Sequence, residues 1–322
     1  MPVATFGWVM ASIVGVGVIV WGAEAFAEHL SKAAVALGVS AFALALLLAG
    51  AEPEELATGM IASARHAPAL AFGDVIGANT AMCLVALGVG AWISPLPFGA
   101  RVRRYGLLGL PVGAVCVVFI WGGHVSRPQG AVLVVLYLLY IAVIWKLEGA
   151  PPAIGEADEL EMAKARRDTT VNHHVGKDVG FVLVGVVVMA GGGFMLVEGI
   201  RHLVHVQDTQ TRVGLTVLGF ATAFELVVLA WSTSRRGSSE AAVAAVVGSF
   251  AYNATMTLGA AALVRPLEVS DAARLRLPGT IMLGSLVLVL VLGWSHAYLG
   301  RRSALVLLAC YPLFIVVALF VG

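Results

Sequence analysis

Three carboxyl groups lie close together in an apolar part of the chain, where charged side chains are costly. Glu52, Glu54 and Glu55 belong to the run Gly50-Ala51-Glu52-Pro53-Glu54-Glu55-Leu56, which also holds a helix-breaking proline. An ionised carboxylate near the centre of a bilayer costs about 2.5 to 3.5 kcal/mol on insertion scales. Three together therefore need a cation, protons or water, and a bound cation would meet that need.

A second set of polar residues lies about 170 residues further along the chain. This shift brings Glu55-Leu56 onto Glu225-Leu226, which ends the run Gly219-Phe220-Ala221-Thr222-Ala223-Phe224-Glu225-Leu226. A shift of about 171 also places Val75-Ile76-Gly77 on Val246-Val247-Gly248 and Pro95-Leu96 on Pro266-Leu267. Random apolar sequence rarely keeps Glu, Gly and Pro in register together, so the pattern indicates an internal repeat. Facing carboxylates from Glu55 and Glu225, with hydroxyl and backbone oxygens, would form an all-oxygen cage that suits calcium.

Complementary polar positions follow each interrupted segment. Asp74 and Asn79 lie in the stretch after the first acids, and Ser249 and Asn253 lie in the stretch after Glu225. Because Ser249 and Asn253 are four residues apart, they share one face of a helix and can point at the same site. The alternative is that such residues only help membrane helices to approach closely.

The composition of the whole chain indicates a membrane protein. The 322 residues are 60% hydrophobic and 12% charged, and the mean hydropathy is +0.94, whereas soluble domains have about a quarter charged residues. Apolar stretches of bilayer-crossing length predict ten transmembrane helices. They cover residues 4–28, 38–64, 68–93, 104–122, 129–147, 178–203, 212–235, 239–264, 277–298 and 302–321.

The spans divide into two halves around one polar linker. We predict an all-α membrane protein with a first five-helix repeat at 1–147, a linker at 148–178 and a second five-helix repeat at 179–322. Since each half has an odd number of spans, the two repeats enter the membrane from opposite sides. Inverted repeats of this kind are typical of secondary transporters, which alternate access around a site near the membrane midplane.

The distribution of basic residues predicts the orientation. Seven of the 20 Lys and Arg residues fall on one side of the spans, at Arg65, Arg127, Arg201, Arg212, Arg265, Arg274 and Arg276. The other thirteen share a side with the linker. This predicts a cytoplasmic linker and both termini outside, and we expect the membrane to be a bacterial cytoplasmic membrane.

Several classes of function are disfavoured. A formal charge of +1 offers no basic surface for nucleic acid, and the chain lacks the His-Glu-x-x-His and Gly-x-Ser-x-Gly motifs of common hydrolases. Cys83, Cys116 and Cys310 lie far apart within apolar runs and are expected to be small core residues. We therefore predict no enzyme and no cofactor, with inorganic cations and the lipid bilayer as partners; the sequence carries no signal for oligomeric state.

At the acidic and polar runs the sequence resembles the cation/calcium antiporter superfamily, specifically the membrane region of sodium/calcium exchangers. The two α-repeats of that family carry G-T-S-x-P-E-L followed by G-N-x-x-G-S-N-x-x-N. The matching segments here are 50–56, 73–79, 213–216 and 246–253. The resemblance implies ten helices, an external N-terminus and a cytoplasmic central loop.

Carried over by this resemblance, Glu55 and Glu225 match the two glutamates that coordinate calcium. Thr222 matches a hydroxyl and backbone ligand, and Ser249 and Asn253 match ion ligands of the second repeat. The first repeat departs from the family, since Ala51-Glu52 stands in place of Thr-Ser, and Ala78 and Met82 replace a Ser and an Asn. In the second repeat Ala223 replaces a Ser, and no proline precedes Glu225. Because there is an extra residue between Pro53 and Leu56, either Glu54 or Glu55 is the counterpart of the calcium-coordinating glutamate in the first repeat.

These departures favour a particular kind of exchanger. Compared with the family motif, this sequence has fewer neutral oxygens that could hold sodium. The added acids Glu52 and Glu54 could carry protons instead. We expect an antiporter that moves a divalent cation, with calcium favoured, against sodium or protons. The alternative is a transport-inactive relative that acts as a scaffold or sensor.

Overall fold

The structure of the chain, a computed structural model, describes residues 2–36, 52–148, 175–236, 240–294 and 297–320. Helices dominate the described residues, as the sequence predicts. In the first half the helices are α1 (Pro2–Ala36), α2 (Pro53–Ala64), α3 (Pro68–Ile93), α4 (Ala100–Ile120) and α5 (Arg127–Glu148). In the second half they are α6 (Val175–Leu203), α7 (207–222), α8 (Phe224–Arg236), α9 (240–264), α10 (Ala273–Trp294) and α11 (Arg301–Phe320).

Eight of the described helices are long and apolar enough to cross a bilayer, namely α1, α3, α4, α5, α6, α9, α10 and α11. Large apolar side chains such as Val118, Val187 and Phe320 are more than two thirds exposed on them, which fits a surface that faces lipid. The other two predicted spans correspond to α2 and to the pair α7 and α8. Residues 38–51 of the second predicted span, and most of the predicted linker, lie outside the described residues.

Helix ends lie in both polar runs. Helix α2 begins at Pro53 with Glu52 as the preceding residue, which is the position where proline is tolerated because its missing N–H would have no partner in the helix. Helix α7 ends at Thr222, and α8 begins at Phe224 after a turn at Ala223. The predicted interruption before Glu225 is therefore present. The first polar run contains a helix start at Pro53, and the residues before Glu52 lie outside the described part of the chain.

The repeat symmetry extends beyond the segments detected in the sequence. The ring of His29 stacks on Phe181 with centroids 4.4 Å apart, and His202 stacks on Trp8 at 3.9 Å. At a shift of about 173 residues, His29 corresponds to His202 and Trp8 corresponds to Phe181. The two stacks lie at opposite ends of the antiparallel pair α1 and α6, as an inverted repeat requires.

Glycines allow α1 and α6 to pack with their backbones in contact. A Cβ atom added to Gly15 would lie 2.8 Å from the carbonyl oxygen of Gly192, and one added to Gly192 would lie 2.7 Å from that of Gly15. No side chain larger than hydrogen fits at such a distance. Small residues at helix interfaces are a common way to build close contacts in membranes.

Four two-residue strands tie the loops together and were not predicted. β1 (Leu96–Pro97) pairs with β4 (Tyr298–Leu299), and β2 (His124–Val125) pairs with β3 (Leu267–Glu268). Each pair joins one strand from each half of the chain. The repeated Pro-Leu segments, at Pro95-Leu96 and Pro266-Leu267, supply β1 and β3, and the side chains of Leu96 and Leu267 are buried. Cys83 and Cys116 are buried and Cys310 is half-buried, and all three are free thiols.

Candidate functional site

The three acids at the start of α2 are buried. Glu52, Glu54 and Glu55 expose 3% or less of their surface, although each carries a carboxyl group. The backbone N–H of Glu55 donates to the carbonyl oxygen of Glu52 at 3.1 Å, so the first helical turn holds the acids near one another. A helix N-terminus carries partial positive charge, which favours carboxylates there.

Asp74 joins this acidic group from α3. It is 1% exposed, and its carboxyl group interacts electrostatically with that of Glu55, as do Glu52 and Glu54. The Thr222 hydroxyl at the end of α7 donates to Asp74 Oδ1 at 2.9 Å. This hydrogen bond connects the first repeat to the second at the break between α7 and α8.

The close approach of α3 and α7 makes this bond possible. A Cβ atom added to Gly73 would lie 2.7 Å from the Cα atom of Gly214, so the backbones of the two helices are in direct contact. Gly73 directly precedes Asp74, and the contact therefore sets the carboxyl group against α7. Any larger residue at Gly73 would have to push the two helices apart.

Helix α9 supplies neutral polar groups next to the acids. The side chain of Ser249 lies beside the Glu52 carboxyl group, and Ser249 and Asn253 are both buried. Asn253 begins a π-helical segment, Asn253–Thr257, which lies against α2. The phenol ring of Tyr252 is also buried, within electrostatic range of Glu52, Glu54 and Glu55.

Many of these oxygens make no hydrogen bond to any residue that the structure describes. They include both carboxylate oxygens of Glu52 and of Glu55, Asp74 Oδ2, Asn253 Oδ1, Thr58 Oγ1 and Thr257 Oγ1. Buried polar atoms normally have partners, and each exception needs an explanation such as an ion or a proton. Hard cations take oxygen ligands from carboxylate, amide, hydroxyl and carbonyl groups, so the chemistry of this group fits such a cation.

Carboxylates alone do not complete a cage. In the part of the chain that the structure describes, no group of three or more His, Cys, Asp or Glu side chains is arranged to hold a metal ion. Neutral oxygens from Thr222, Ser249 and Asn253 would have to contribute.

Two further predicted residues lie on α3 and at the start of α8. Asn79 on α3 is fully buried, and its amide nitrogen lies 3.6 Å from the sulfur of Met282 on α10. Glu225 is the second residue of α8, three residues after Thr222, and is partly buried. Asp74 provides the described hydrogen bond between the two repeats.

Thr58 is a candidate site residue that the sequence analysis missed. It is 0% exposed, and it lies three residues after Glu55 on the same face of α2. A Cβ atom added to the neighbouring Gly59 would lie 3.1 Å from the Thr257 side chain. This part of α2 therefore packs against the polar segment 253–257 of α9. Helical spacing from Glu55 was the signal that could have identified it.

Glu198 pairs with two arginines, on α6 and at the end of α2, at the opposite end of α6 from the contact with His29. Its Oε2 atom accepts hydrogen bonds from Arg65 Nη2 at 2.8 Å and from Arg201 Nη1 at 3.0 Å. Its side chain is 13% exposed. The Arg65 bond links the end of α2, which begins at the acidic group, to α6.

Interrupted helices, repeats of opposite orientation and buried acids at the repeat interface define a secondary transporter. The family model described as "Sodium/calcium exchanger protein" matches residues 7–146 and 177–320. The chain therefore belongs to the sodium/calcium exchanger family, whose members are cation antiporters and not enzymes.

Similar proteins agree with this assignment. The chain is 26% identical over 305 residues to inner membrane protein YrbG of Escherichia coli, covering 92% of this chain and 91% of the relative. It is 25% identical to sodium/calcium exchanger MaX1 of Methanosarcina acetivorans, covering 96% and 97%, and 21% identical to the putative antiporter CaxA of Alkalimonas amylolytica, covering 87% and 88%. A structure of the sodium-calcium exchanger NCX_Mj soaked with Na+ and Sr2+ matches with a TM-score of 0.61 at 21% identity, covering 97% of this chain and 98% of that one. The sodium/calcium exchanger fold expected from the sequence is confirmed.

Proposed function

We propose that the protein moves a divalent cation, calcium, across the membrane in exchange for protons or sodium by alternating access. The observation that carries this proposal is the group of buried acids at the start of α2 and on α3. Oxygens of Glu52, Glu55 and Asp74 have no hydrogen-bond partner among the described residues. A cation that binds there would satisfy these oxygens and offset their charge.

The proposed ligands come from both repeats. The carboxylates are those of Glu52, Glu54, Glu55, Asp74 and Glu225, and the neutral ligands are Thr222, Ser249, Asn253 and Asn79. Glu55 is our preferred counterpart of the family glutamate, because its carboxyl group interacts with those of Glu52, Glu54 and Asp74.

The number of acids favours protons as the counter-ion. One calcium ion brings two positive charges, whereas Glu52, Glu54, Glu55 and Asp74 provide four carboxyl groups in a buried region. Unpaired buried charges are expensive, so the remaining acids would bind protons. Few neutral oxygens remain for sodium, since Ala78, Met82 and Ala223 supply alkyl groups instead.

The proposed topology places the linker in the cytoplasm and both termini outside, with the repeats at 1–147 and 179–322. The strand pairs support the grouping of the loops by side, because β1 and β4 pair with each other and lie in loops that the count of basic residues assigns to the cytoplasm. β2 and β3 lie in loops that it assigns to the outside. We place the protein in a bacterial cytoplasmic membrane.

Calcium uptake into proteoliposomes tests the proposal. An outward proton gradient and an outward sodium gradient are imposed separately on the wild-type chain and on the E55Q/E225Q double variant. The matched control is E268Q, which neutralises an exposed acid on β3. We expect uptake driven by the proton gradient, unchanged in E268Q and abolished in the double variant.

Other results would change the proposal in specific ways. Uptake driven only by sodium would show that the reduced set of neutral ligands still suffices for sodium. Absence of calcium flux under both gradients would favour another cation or the alternative role as a scaffold or sensor. Equal uptake by the wild type and the double variant would contradict the proposed site.

A further inference from the structure

Tyr252 is a large buried residue of α9 that meets the acidic group of α2. It is 1% exposed, and its ring packs edge-on against that of Tyr137 on α5, with centroids 5.3 Å apart. The phenol group lies within electrostatic range of the carboxyl groups of Glu52, Glu54 and Glu55, and Glu52 contributes most. The ring is thus held by α5 while its hydroxyl group lies near the acids.

The hydroxyl group of Tyr252 makes no hydrogen bond to any residue that the structure describes. The Thr257 side chain lies beside it, but the Thr257 hydroxyl group has no described hydrogen-bond partner either. Tyr140 shows the usual behaviour of a buried tyrosine, since its hydroxyl donates to the carbonyl oxygen of Tyr105 at 3.3 Å. Buried phenol groups normally find such a partner. Two unpartnered hydroxyl oxygens beside carboxylates therefore point to a ligand that they share.

A π-helical segment brings Tyr252 and Thr257 together. The two residues are five positions apart, whereas in an α-helix the residues that share a face are three or four positions apart. Asn253–Thr257 is π-helical, and a π-helix closes its turns over five residues. The side chains of Tyr252 and Thr257 can therefore lie side by side on the face of α9 that meets the acids. Such π-helical turns occur frequently at functional sites.

The equivalent π-helical segment of the first repeat is apolar. Met82–Ala86 on α3 is π-helical and corresponds to the segment on α9 at a shift of about 171 residues. Ala81 stands at the position of Tyr252, and Ala86 stands at the position of Thr257. Both repeats thus contain the same backbone feature, but the second repeat alone adds these two hydroxyl groups to it.

We propose that the hydroxyl oxygens of Tyr252 and Thr257 are further neutral ligands of the transported divalent cation and favour calcium over magnesium. This inference rests on the proposed function, which places the cation at the acids of α2. Calcium takes about six to eight oxygen ligands in a flexible geometry, whereas magnesium keeps several waters and needs few protein ligands. Neutral oxygens that the protein adds to the carboxylates therefore stabilise bound calcium more than bound magnesium.

The test measures cation binding to the purified full-length protein in detergent. Equilibrium dialysis with radioactive calcium gives the calcium affinity, and competition by magnesium gives the magnesium affinity. The variants are Y252F and T257V, each of which removes one hydroxyl group and keeps the shape of the side chain. The matched control is Y140F, which removes a phenol oxygen that already has a partner. Loss of a group at a metal site costs about tenfold or more in affinity, so we expect Y252F to weaken calcium binding about tenfold.

The change in selectivity separates a ligand from a residue that only supports the fold. Magnesium binding to Y252F should stay within about twofold of the wild type, because a water replaces the lost oxygen. T257V should change the ratio of the two affinities in the same direction, and Y140F should leave it unchanged. An unchanged ratio in Y252F and T257V would overturn the proposal, and so would equal weakening of both cations.

The same assay distinguishes failure of this inference from failure of the proposed function. Calcium binding that is lost in E55Q but unchanged in Y252F would overturn the inference alone. Absence of calcium binding to the wild type would overturn both. If Y252F fails to fold, terbium, a hard cation that replaces calcium, provides a measurement on the wild type. Bound terbium should luminesce with the excitation spectrum of tyrosine and lose this signal when calcium is added, and absence of that luminescence would also overturn the inference.

Discussion

The Thr222 hydroxyl donates a hydrogen bond to Asp74 Oδ1 at 2.9 Å, and this bond joins the two inverted repeats. Asp74 lies on α3 of the first repeat, and Thr222 ends α7 of the second, one residue before the helix break. Under the proposed function, we expect this carboxyl group to respond to an ion or proton that binds at the acids of α2, because it interacts electrostatically with Glu55. We further expect its state of charge to be coupled to the relative position of the repeats.

Replacing Asp74 with asparagine should lower proton-driven calcium uptake about tenfold. The substitution preserves size but removes one of the acids that the proposed exchange requires, together with its ability to bind and release a proton. The dependence of the uptake rate on pH should become flatter as well. Initial rates in proteoliposomes at several external pH values measure both effects.

Thr80→Val is the control for that experiment. Thr80 is equally buried on α3, but its hydroxyl donates to the carbonyl oxygen of Ile76 within the same helix, at 2.7 Å. Its loss should leave the uptake rate within about twofold of the wild type. An Asp74→Asn variant with normal rate and normal pH dependence would show that Asp74 only holds the repeats together.

Replacing Glu52 with serine should shift the coupling from protons toward sodium. Serine stands at this position in the exchanger motif, and a hydroxyl oxygen there would restore one neutral ligand while removing one proton-binding acid. The ratio of sodium-driven to proton-driven calcium uptake should rise about fivefold or more. Glu52→Ala is the control, because it removes the same acid without adding a ligand. Equal ratios in the two variants would contradict the role of a hydroxyl ligand.

The positions of the buried acids could be predicted from the sequence because their cost in a membrane is so high. Glu52, Glu54 and Glu55 cannot face lipid, and Pro53 cannot continue a helix from the preceding turn. Their place at a buried helix start follows from those two constraints alone. The repeat register pointed to Thr222, and the four-residue spacing of Ser249 and Asn253 together with the exchanger motif pointed to Ser249.

The contacts between helices could not be predicted in the same way. The bond between Thr222 and Asp74 depends on the backbone contact of Gly73 with Gly214, and a lone glycine in an apolar helix does not reveal its partner. The strand pairs depend on loops that are distant in sequence and carry only a repeated Pro-Leu.

Replacing Glu198 with glutamine should change the rate of transport without changing the apparent affinity for calcium. Glu198 on α6 binds Arg65, which lies at the C-terminal end of α2. The N-terminal end of the same helix carries the buried acids. Partly exposed ion pairs contribute about 0.2 to 1 kcal/mol, so the melting temperature should fall only slightly. Rates and half-saturating calcium concentrations, measured over a calcium titration, distinguish the two effects.

Asp208→Asn is the matched control for Glu198→Gln. Asp208 also pairs with an arginine, at 2.9 Å from Arg274, but it links α7 to α10 and makes no described contact with α2. It should leave both the rate and the affinity unchanged. A changed calcium affinity in Glu198→Gln would show that this acid acts on the ion site itself.

Replacing Gly15 with valine should destabilise the contact between α1 and α6. The added Cβ atom would lie 2.8 Å from the carbonyl oxygen of Gly192, so the helices must separate, and forced overpacking costs about 1 to 3 kcal/mol. Gly17→Val is the control, since Gly17 is on the same helix with no atom within 4 Å of its added Cβ. The melting temperature in detergent should fall by several degrees for Gly15→Val and by much less for Gly17→Val. Similar melting temperatures for the two variants would mean that α1 and α6 can move apart at little cost, and that their close contact contributes little to stability.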